Sequence, residues 1–345
     1  MPARFQERIR EAAARGAPVR LRGDGSKDFY GGALAGEVLD TRGYAGIVDY
    51  VPTELVVTAR CGTPLAELEA ALAGVGQMLA FEPPRFGGAA TLGGCVAAGL
   101  AGPRRAAAGA VRDFVLGTRL VDGRGRDLAF GGRVMKNVAG YDLSRLLAGS
   151  LGVLGLILEV SLKVLPRPAA ERTLRLELPE GRALEALNRW AGQPLPVSAS
   201  AWRDGELFLR LSGAESAVRA AAARIGGDAA ADPWPGIREH TDPWFAGDAP
   251  LWRLSVPSHC APLGLPGPQF IEWGGALRWL RGGDAAALRE AAARAGGHAT
   301  RFRGGDRAAG VFAPLAPALL RLHRELKDAF DPSRIFNPGR LHPEL

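Results

Sequence analysis

Cysteine is scarce in this chain. Its 345 residues hold three, Cys61, Cys95 and Cys260, far apart and without C-x-x-C spacing. That pattern argues against a disulfide framework and against a thiolate-bound iron–sulfur cluster. Histidine is equally thin: His240, His259, His298, His323 and His342 form no H-x-H or H-x-x-x-H pair that would set two imidazoles on one metal, so no metal site is expected. No apolar run reaches the roughly 18 residues a membrane span needs. Met1 to Gly16 interleaves Arg and Glu with Phe5, Ile9, Ala12 and Ala13. It reads as an amphipathic helix rather than a signal peptide, and the expected location is the cytoplasm. Blocks of five like charges are absent and aromatics are only 7%. The net charge of +7 is therefore read as arginine spread over the surface, with no nucleic-acid partner expected.

Glycine is abundant: 47 residues, nearly twice the usual share of about 7%. Much of the excess precedes residue 160 and gathers in two loops. The first, Arg22-Gly23-Asp24-Gly25-Ser26-Lys27, follows the strand-like Pro18-Val19-Arg20-Leu21. Glycines there allow left-handed angles that turn successive N–H groups toward one anion. Arg22 and Lys27 add positive charge and Ser26 a hydroxyl. The second, Gly87-Gly88-Ala89-Ala90-Thr91-Leu92-Gly93-Gly94, has the same character. Either loop alone is as readily a plain turn. Two in one domain suit a long, multiply charged ligand such as a diphosphate-linked dinucleotide.

Residues 1 to about 166 alternate short strands, helices and Gly-rich turns. Leu55–Ala59 is a β-branched run; Thr63 is the expected N-cap and Pro64 the first residue of a helix carrying Leu65, Leu68, Leu72 and Val75. Phe114–Val121 with the turn Asp122-Gly123 reads as a strand entering a hairpin. The apolar stretch Leu151–Val164 ends at Pro166-Arg167-Pro168, the expected domain boundary. From Glu171 to Arg303 strands outnumber helices, hairpins recur, and an antiparallel sheet with helices on one face is predicted. Asp232 to Gly267, rich in Pro, Trp and Gly, is predicted to be a long ordered loop. Its tryptophans Trp234, Trp244 and Trp252, with Trp273 and Trp279, are weighed as a cap pocket or a partner interface against core or loop packing, and Pro-Trp-Pro and Pro-Trp-Phe tilt the reading toward an interface. The tail, Ala318–Phe330, is a helix with Leu319, Leu322, Leu326 and Phe330 on one side.

The segments 22–26, Thr91–Gly94, Gly149-Ser150-Leu151-Gly152-Val153-Leu154-Gly155 and Asn337-Pro338-Gly339-Arg340 resemble the FAD-linked oxidases of the vanillyl-alcohol oxidase type, with a PCMH-type FAD-binding domain. Gly102–Arg105, Val111–Thr118 and Val134–Leu143 are similar to the E subunits of bacterial glycolate oxidases. The resemblance is strong over the first 166 residues, good over the last thirty and faint between. It implies an α+β fold: a FAD-binding domain of two α/β subdomains (1–167), an α+β cap with an antiparallel sheet (168–305) and a C-terminal helical segment returning to the FAD domain (306–345).

Carried over by position, the resemblance places Arg22, Gly23, Asp24, Gly25, Ser26 and Lys27 around the FAD diphosphate. Thr91, Leu92, Gly93 and Gly94 would contact diphosphate and flavin, and Gly152, Gly155 and Ile157 the ribose and adenine. Pro83 and Asn337 would lie near the isoalloxazine ring. Relatives with covalent flavin carry histidine where this chain has Ser26, so FAD is expected to be non-covalent. Lys136 and Tyr141 are weighed as substrate contacts against plain solvation and packing. The implied function is that of a FAD subunit of a glycolate-oxidising complex, beside a second, larger FAD subunit and an iron–sulfur subunit. Those partners would bring it to the inner face of the membrane. A free-standing 2-hydroxy-acid dehydrogenase and a non-catalytic FAD-holding relay subunit remain open, and the catalytic residues unassigned.

Overall fold

A computed structural model describes residues 1–132, 141–307 and 310–345, without the side chains of Tyr141 and Asp142. Lys136 and the Tyr141 side chain thus lie outside the described residues. The chain opens with the helix Pro2–Arg15, whose Phe5, Ile9 and Ala12 are buried, and Gly16 closes it in a left-handed cap. The strand Val19–Arg22 then pairs in parallel with Glu37–Asp40. Five antiparallel strands form the next sheet, in the order Ile47–Val51, Val56–Arg60, Leu156–Lys163, Val115–Val121 and Asp127–Gly131. Leu156–Lys163 reaches its central place because five of its eight residues are apolar and buried, on both faces of the strand.

Two local expectations are corrected here. Pro64, not Thr63, is the N-cap of the helix Leu65–Ala73. The fully buried Thr63 hydroxyl instead satisfies the Gly46 peptide, 2.9 Å from its N and 3.2 Å from its O. The Gly46 carbonyl also accepts from Arg60 N at 3.1 Å, but its N–H has no other acceptor among the described residues, and pairing it outweighs a cap that water can replace. Val75, two residues past the helix, is 50% exposed, so the apolar stripe ends at Leu72.

The largest sheet has eight antiparallel strands, beginning with the strand Ala170–Glu177 in sequence and ending with His298–Arg303 at one edge. Alternation gives it two unlike faces. Leu174, Leu207, Leu209 and Leu211 pack against the helices Glu180–Ala191 and Glu215–Ile225, and Trp252, Leu254 and Leu280 against Ala285–Arg294. The opposite face carries Phe208, Phe270, Trp279 and Phe302, which meet Tyr30, Phe86, Leu100 and Leu151 of the N-terminal part. Carboxylates clamp that contact. Glu82 binds Arg104 and Arg210, and Arg104 reaches Glu171 beyond. Glu239 accepts from the N–H groups of Arg85 and Phe86 at 2.9 and 2.8 Å.

The stretch 232–267 is not one loop. It holds the helix Trp234–Glu239, a tight turn at Pro243–Phe245 and the interior strand Leu251–Ser255. Asp242 fixes the turn by accepting from Trp244 N at 3.0 Å while pairing with Arg203. Trp234, Trp244, Trp252, Trp273 and Trp279 are all at most 6% exposed. They are core residues and not the expected interface, because each indole fills one of the sheet's two packed faces.

The C-terminal helix Pro317–Phe330 uses less of its stripe than predicted, with Leu319 and Leu322 about half exposed. Only Leu326 and Phe330 join the core. Its anchor is polar. The fully buried Lys327 pairs with the fully buried Asp331 at 2.8 Å and donates to Val153 O and Phe336 O at 2.7 and 2.9 Å. Burial pulls the Lys327 ammonium below its usual range. Lys327→Met strands a buried carboxylate, and about 3–5 kcal/mol of stability should be lost by urea denaturation. Arg294→Met, which breaks an exposed pair with Glu290, should change the midpoint little.

Candidate cofactor cleft

A cleft of about 820 Å³ opens where the first glycine loop, the helix Leu92–Ala98, the turn at Leu151–Gly155 and the C-terminal segment converge. It gathers most of the residues named from sequence: Arg22, Gly23, Asp24, Gly25, Ser26, Lys27, Thr91, Gly93, Gly94, Gly152, Gly155, Ile157 and Asn337 all line it. Pro83 and Leu92 do not. Pro83 is buried away from the cleft wall, and the Leu92 side chain sits in the core with no exposed surface.

The first loop is built to receive an anion. Among the described residues, none of the N–H groups of Gly23, Asp24, Gly25, Ser26 and Lys27 donates to an acceptor of the chain. Five consecutive donors are left for solvent or a ligand, an arrangement that costs stability unless something polar fills it. Gly25 sits at φ 89°, where a side chain is strained, and a Cβ there would lie 2.3 Å from the Arg22 guanidinium. The charges are less simple than sequence implies. Arg22 lies 3.2 Å from Asp28, which also pairs with Arg20, so its charge is partly answered. Lys27 has no salt-bridge partner among the described residues. Burial lowers its ammonium, and Cys95, Glu239 and Asp24 oppose that shift through space.

The second loop presents fewer free donors. Leu92 N donates to Thr63 O at 2.9 Å and Gly93 N to Cys61 O at 2.8 Å. Thr91 caps the short helix by accepting from Gly94 N at 3.3 Å. These bonds hold the loop against the end of the strand Val56–Arg60. Cys61 faces the cleft and Cys95 lies behind it; burial pushes both thiols up to about 12, which keeps them neutral. Among the described residues no three His, Cys, Asp or Glu side chains gather into a metal-binding group.

Asn337 closes the cleft from the C-terminal side. Its carboxamide accepts from Leu21 N at 2.9 Å and donates to Leu151 O at 2.7 Å, while its own N–H donates to Val19 O at 3.0 Å. A Cβ on Gly152, itself at φ 74°, would lie 2.7 Å from Asn337 Nδ2, so only glycine lets the two approach. Leu21, Leu34, Ala97, Ala98, Leu151 and Leu156 supply apolar wall. The cleft therefore pairs a cationic, donor-rich end with apolar surface, as a group with a diphosphate and flat aromatic rings requires. The residues fit FAD.

Several lining residues escaped the sequence reading, Thr41, Cys61 and Arg340 among them. Thr41 bonds Arg22 O through both its N and its hydroxyl, and nothing in its local sequence marks it. Cys61 looked inert. Arg340 belonged to a recognised motif, yet its work is structural. It donates to the carbonyls of Gly32, Lys27 and Asp28 and so shapes the end of the loop. Burial and Arg307 bring its guanidinium down to about 10.

Comparison with known proteins agrees with this geometry. The family described as FAD binding domain matches residues 2–131, and that of the C-terminal domain of FAD linked oxidases matches 304–341. The chain is 50% identical over 341 residues to glycolate oxidase subunit GlcE of Escherichia coli strain K12, covering 98% of this chain and 97% of that one. It is 31% identical over 160 residues to D-2-hydroxyglutarate dehydrogenase of Xanthomonas citri pv. viticola, 45% of this chain and 33% of that protein. A solved structure of alkyldihydroxyacetonephosphate synthase superposes with a TM-score of 0.66 at 15% identity, over 97% of this chain and 75% of the other; it shares the fold. With half its residues identical along nearly the whole length of both chains, this protein belongs to the glycolate oxidase E-subunit family of FAD-binding oxidoreductases.

Proposed function

We propose that this chain is the FAD-binding subunit of a complex that oxidises glycolate or a related 2-hydroxy acid to the 2-oxo acid. The observation that carries the reading is the row of five unsatisfied N–H groups from Gly23 to Lys27 between Arg22 and the Lys27 ammonium. In this reading that loop, with Thr91, Gly93 and Gly94, holds the diphosphate by charge-assisted hydrogen bonds. Gly152, Gly155 and Ile157 border the ribose and adenine. Asn337 borders the flavin ring, with Pro83 and Leu92 as support behind the wall. FAD, when bound, would supply the acceptor for the hydride, which carries both electrons of the oxidation. The division follows the sheets: 1–167 for cofactor, 168–305 as cap and 306–345 as the returning segment.

The partners follow from what the thiols can do. Cys61, Cys95 and Cys260 lie far apart in sequence, and among the described residues no three His, Cys, Asp or Glu side chains gather as a cluster would need. Onward electron transfer is assigned to an iron–sulfur subunit, and primary oxidation of the acid to a second, larger FAD subunit. Glycolate oxidase subunit GlcD of Bacillus subtilis strain 168, 40% identical over 84 residues, supports such a companion. That match spans 24% of this chain and 18% of that one. No described helix is long and apolar enough to cross a membrane; a cytoplasmic protein brought to the inner membrane face by its partners is the location we infer.

With Ser26 in place of a tethering histidine, acid precipitation should leave the yellow colour in the supernatant; flavin retained in the pellet would show a covalent link. Gly25→Ala forces about 1–2 kcal/mol of backbone strain at φ 89° and sets a methyl in the cradle. FAD affinity should fall at least tenfold with far-UV circular dichroism unchanged, and normal FAD binding would reduce this loop to an ordinary turn. Co-expressed with the partner subunits, a tagged chain should co-purify with both. Glycolate-dependent dye reduction should appear in that complex and not in the isolated chain. Robust turnover by the single chain would restore the free-standing dehydrogenase.

A further inference from the structure

A second, narrow cavity lies between the aromatic face of the eight-stranded sheet and the N-terminal part, and shares no lining residue with the cofactor cleft. Its walls are largely apolar, but His240, Arg253 and Glu272 enter it. The two spaces are neighbours: Lys27 of the cleft stands 5.7 Å from the ring of Phe86, which lines the cavity.

Its charges do not balance. Arg238 on the rim is answered by Glu69 and Glu239 at 3.3 and 2.9 Å. Arg253 has no salt bridge among the described residues; it bonds the Tyr30 hydroxyl and lies 5.2 Å from the Trp273 ring. Arg105 sits 4.4 Å from the same indole, also without a salt bridge among the described residues, adding a second positive charge nearby. The carboxyl facing them, Glu272, is fully buried, accepts from Trp279 Nε1 at 2.7 Å, and is pushed up to about 7 by burial. It therefore neutralises Arg253 only in part near neutral pH.

His240 supplies an unfilled hydrogen-bonding position. Its ring is stacked on Phe245 at 4.0 Å between centroids and edged by Trp279, Phe86 and Phe302. Its Nδ1 is buried with no partner, which costs stability unless a ligand pairs with it. Burial, with Arg303 and Arg253 nearby, holds the imidazole down to about 3, so it is neutral. Backbone strain gathers here too: Phe86, His240 and Trp273 have φ values of 52°, 54° and 55°. Bulky residues keep such angles only where the surroundings impose them, commonly at binding sites. Trp273 is tied across the interface by donating to Gly102 O at 3.1 Å.

We propose that this cavity binds a small carboxylate, its oxygens held by the Arg253 guanidinium and the neutral His240 Nδ1–H, with Trp273 and Trp279 as walls. A planar guanidinium matches a carboxylate fork, and the aromatic lining excludes larger or hydrated anions. The inference deepens the 2-hydroxy-acid reading and rests on it for the natural ligand, which would bind here by its carboxylate. Binding itself requires no turnover.

The test is isothermal titration calorimetry of the full chain loaded with FAD, using oxalate, a two-carbon carboxylate with no hydroxyl to oxidise, with chloride at matched ionic strength as control. Wild-type protein should give saturable one-site heat with oxalate and none with chloride. Arg253→Met should weaken binding at least tenfold and Arg253→Lys less. His240→Phe, which preserves the stacking but removes Nδ1, should weaken it severalfold, all with the flavin absorbance unchanged. No saturable heat from the wild type, equal binding of chloride, or variants within twofold of wild type would overturn the proposal. If Arg253→Met does not fold, the other two variants decide on the same threshold. Oxalate binding without glycolate-dependent reduction in the assembled complex would sink the 2-hydroxy-acid reading and leave the carboxylate site standing.

Discussion

One carboxamide holds together what the cofactor cleft is made of. Asn337 lies 316 residues from Leu21 and 186 from Leu151, yet bonds the backbone of both and extends the strand Val19–Arg22 through Phe336. It adopts a left-handed φ of 40° to do so, a conformation asparagine tolerates better than most residues. The glycine loop begins where that strand ends. The position of its five free N–H groups therefore depends on a contact made by the last ten residues of the chain. Lys327 and Asp331 secure the same segment from behind. Their mutual attraction and the two carbonyls on Lys327 offset the cost of removing both charges from water.

The eight-stranded sheet does two jobs through its alternation. One face packs on helices with leucines and alanines, which gives the cap its own core. The other turns aromatic rings toward the N-terminal part, and at that seam the buried polar groups are left incompletely paired. Glu82, Arg104, Arg210 and Glu171 satisfy one another there, whereas among the described residues Arg253 has no carboxylate in salt-bridge contact and His240 Nδ1 has no hydrogen-bond partner. A folded protein keeps such gaps where a ligand closes them. The cleft and the seam cavity thus show the same signature in different chemistry: backbone donors in one, side-chain donors in the other.

The relation between sequence and structure divides along the range of the interactions involved. Local signals were sound where one segment decides the outcome. The amphipathic spacing of Phe5, Ile9 and Ala12, the hairpin entered by Phe114–Val121 and the turn chemistry of Arg22–Lys27 all act within a few residues. Thr63 shows the opposite case. Its capping pattern is correct locally, but a peptide 17 residues away claims the hydroxyl. The Pro- and Trp-rich stretch from 232 read as a loop because its elements are short and broken by Pro and Gly. They are stable only when their indoles enter the faces of a sheet assembled from elsewhere.

By itself the amino-acid sequence determined the α+β class, the two glycine loops and their demand for an anion, the scarcity of metal-ligating patterns and the family to which the chain belongs. Each of these is written in short motifs or in composition. Only the tertiary structure decided which donors remain free. Leu92 and Gly93 carry the same N–H groups as Gly23 and Gly25, but the carbonyls of Thr63 and Cys61 consume theirs. It also decided that His240, one of five histidines with no distinguishing neighbours, is buried in the wall of a cavity shared with an arginine that has no salt bridge among the described residues. Desolvation and hydrogen-bond satisfaction depend on what packs against a group from distant parts of the chain, and a linear pattern carries no account of that.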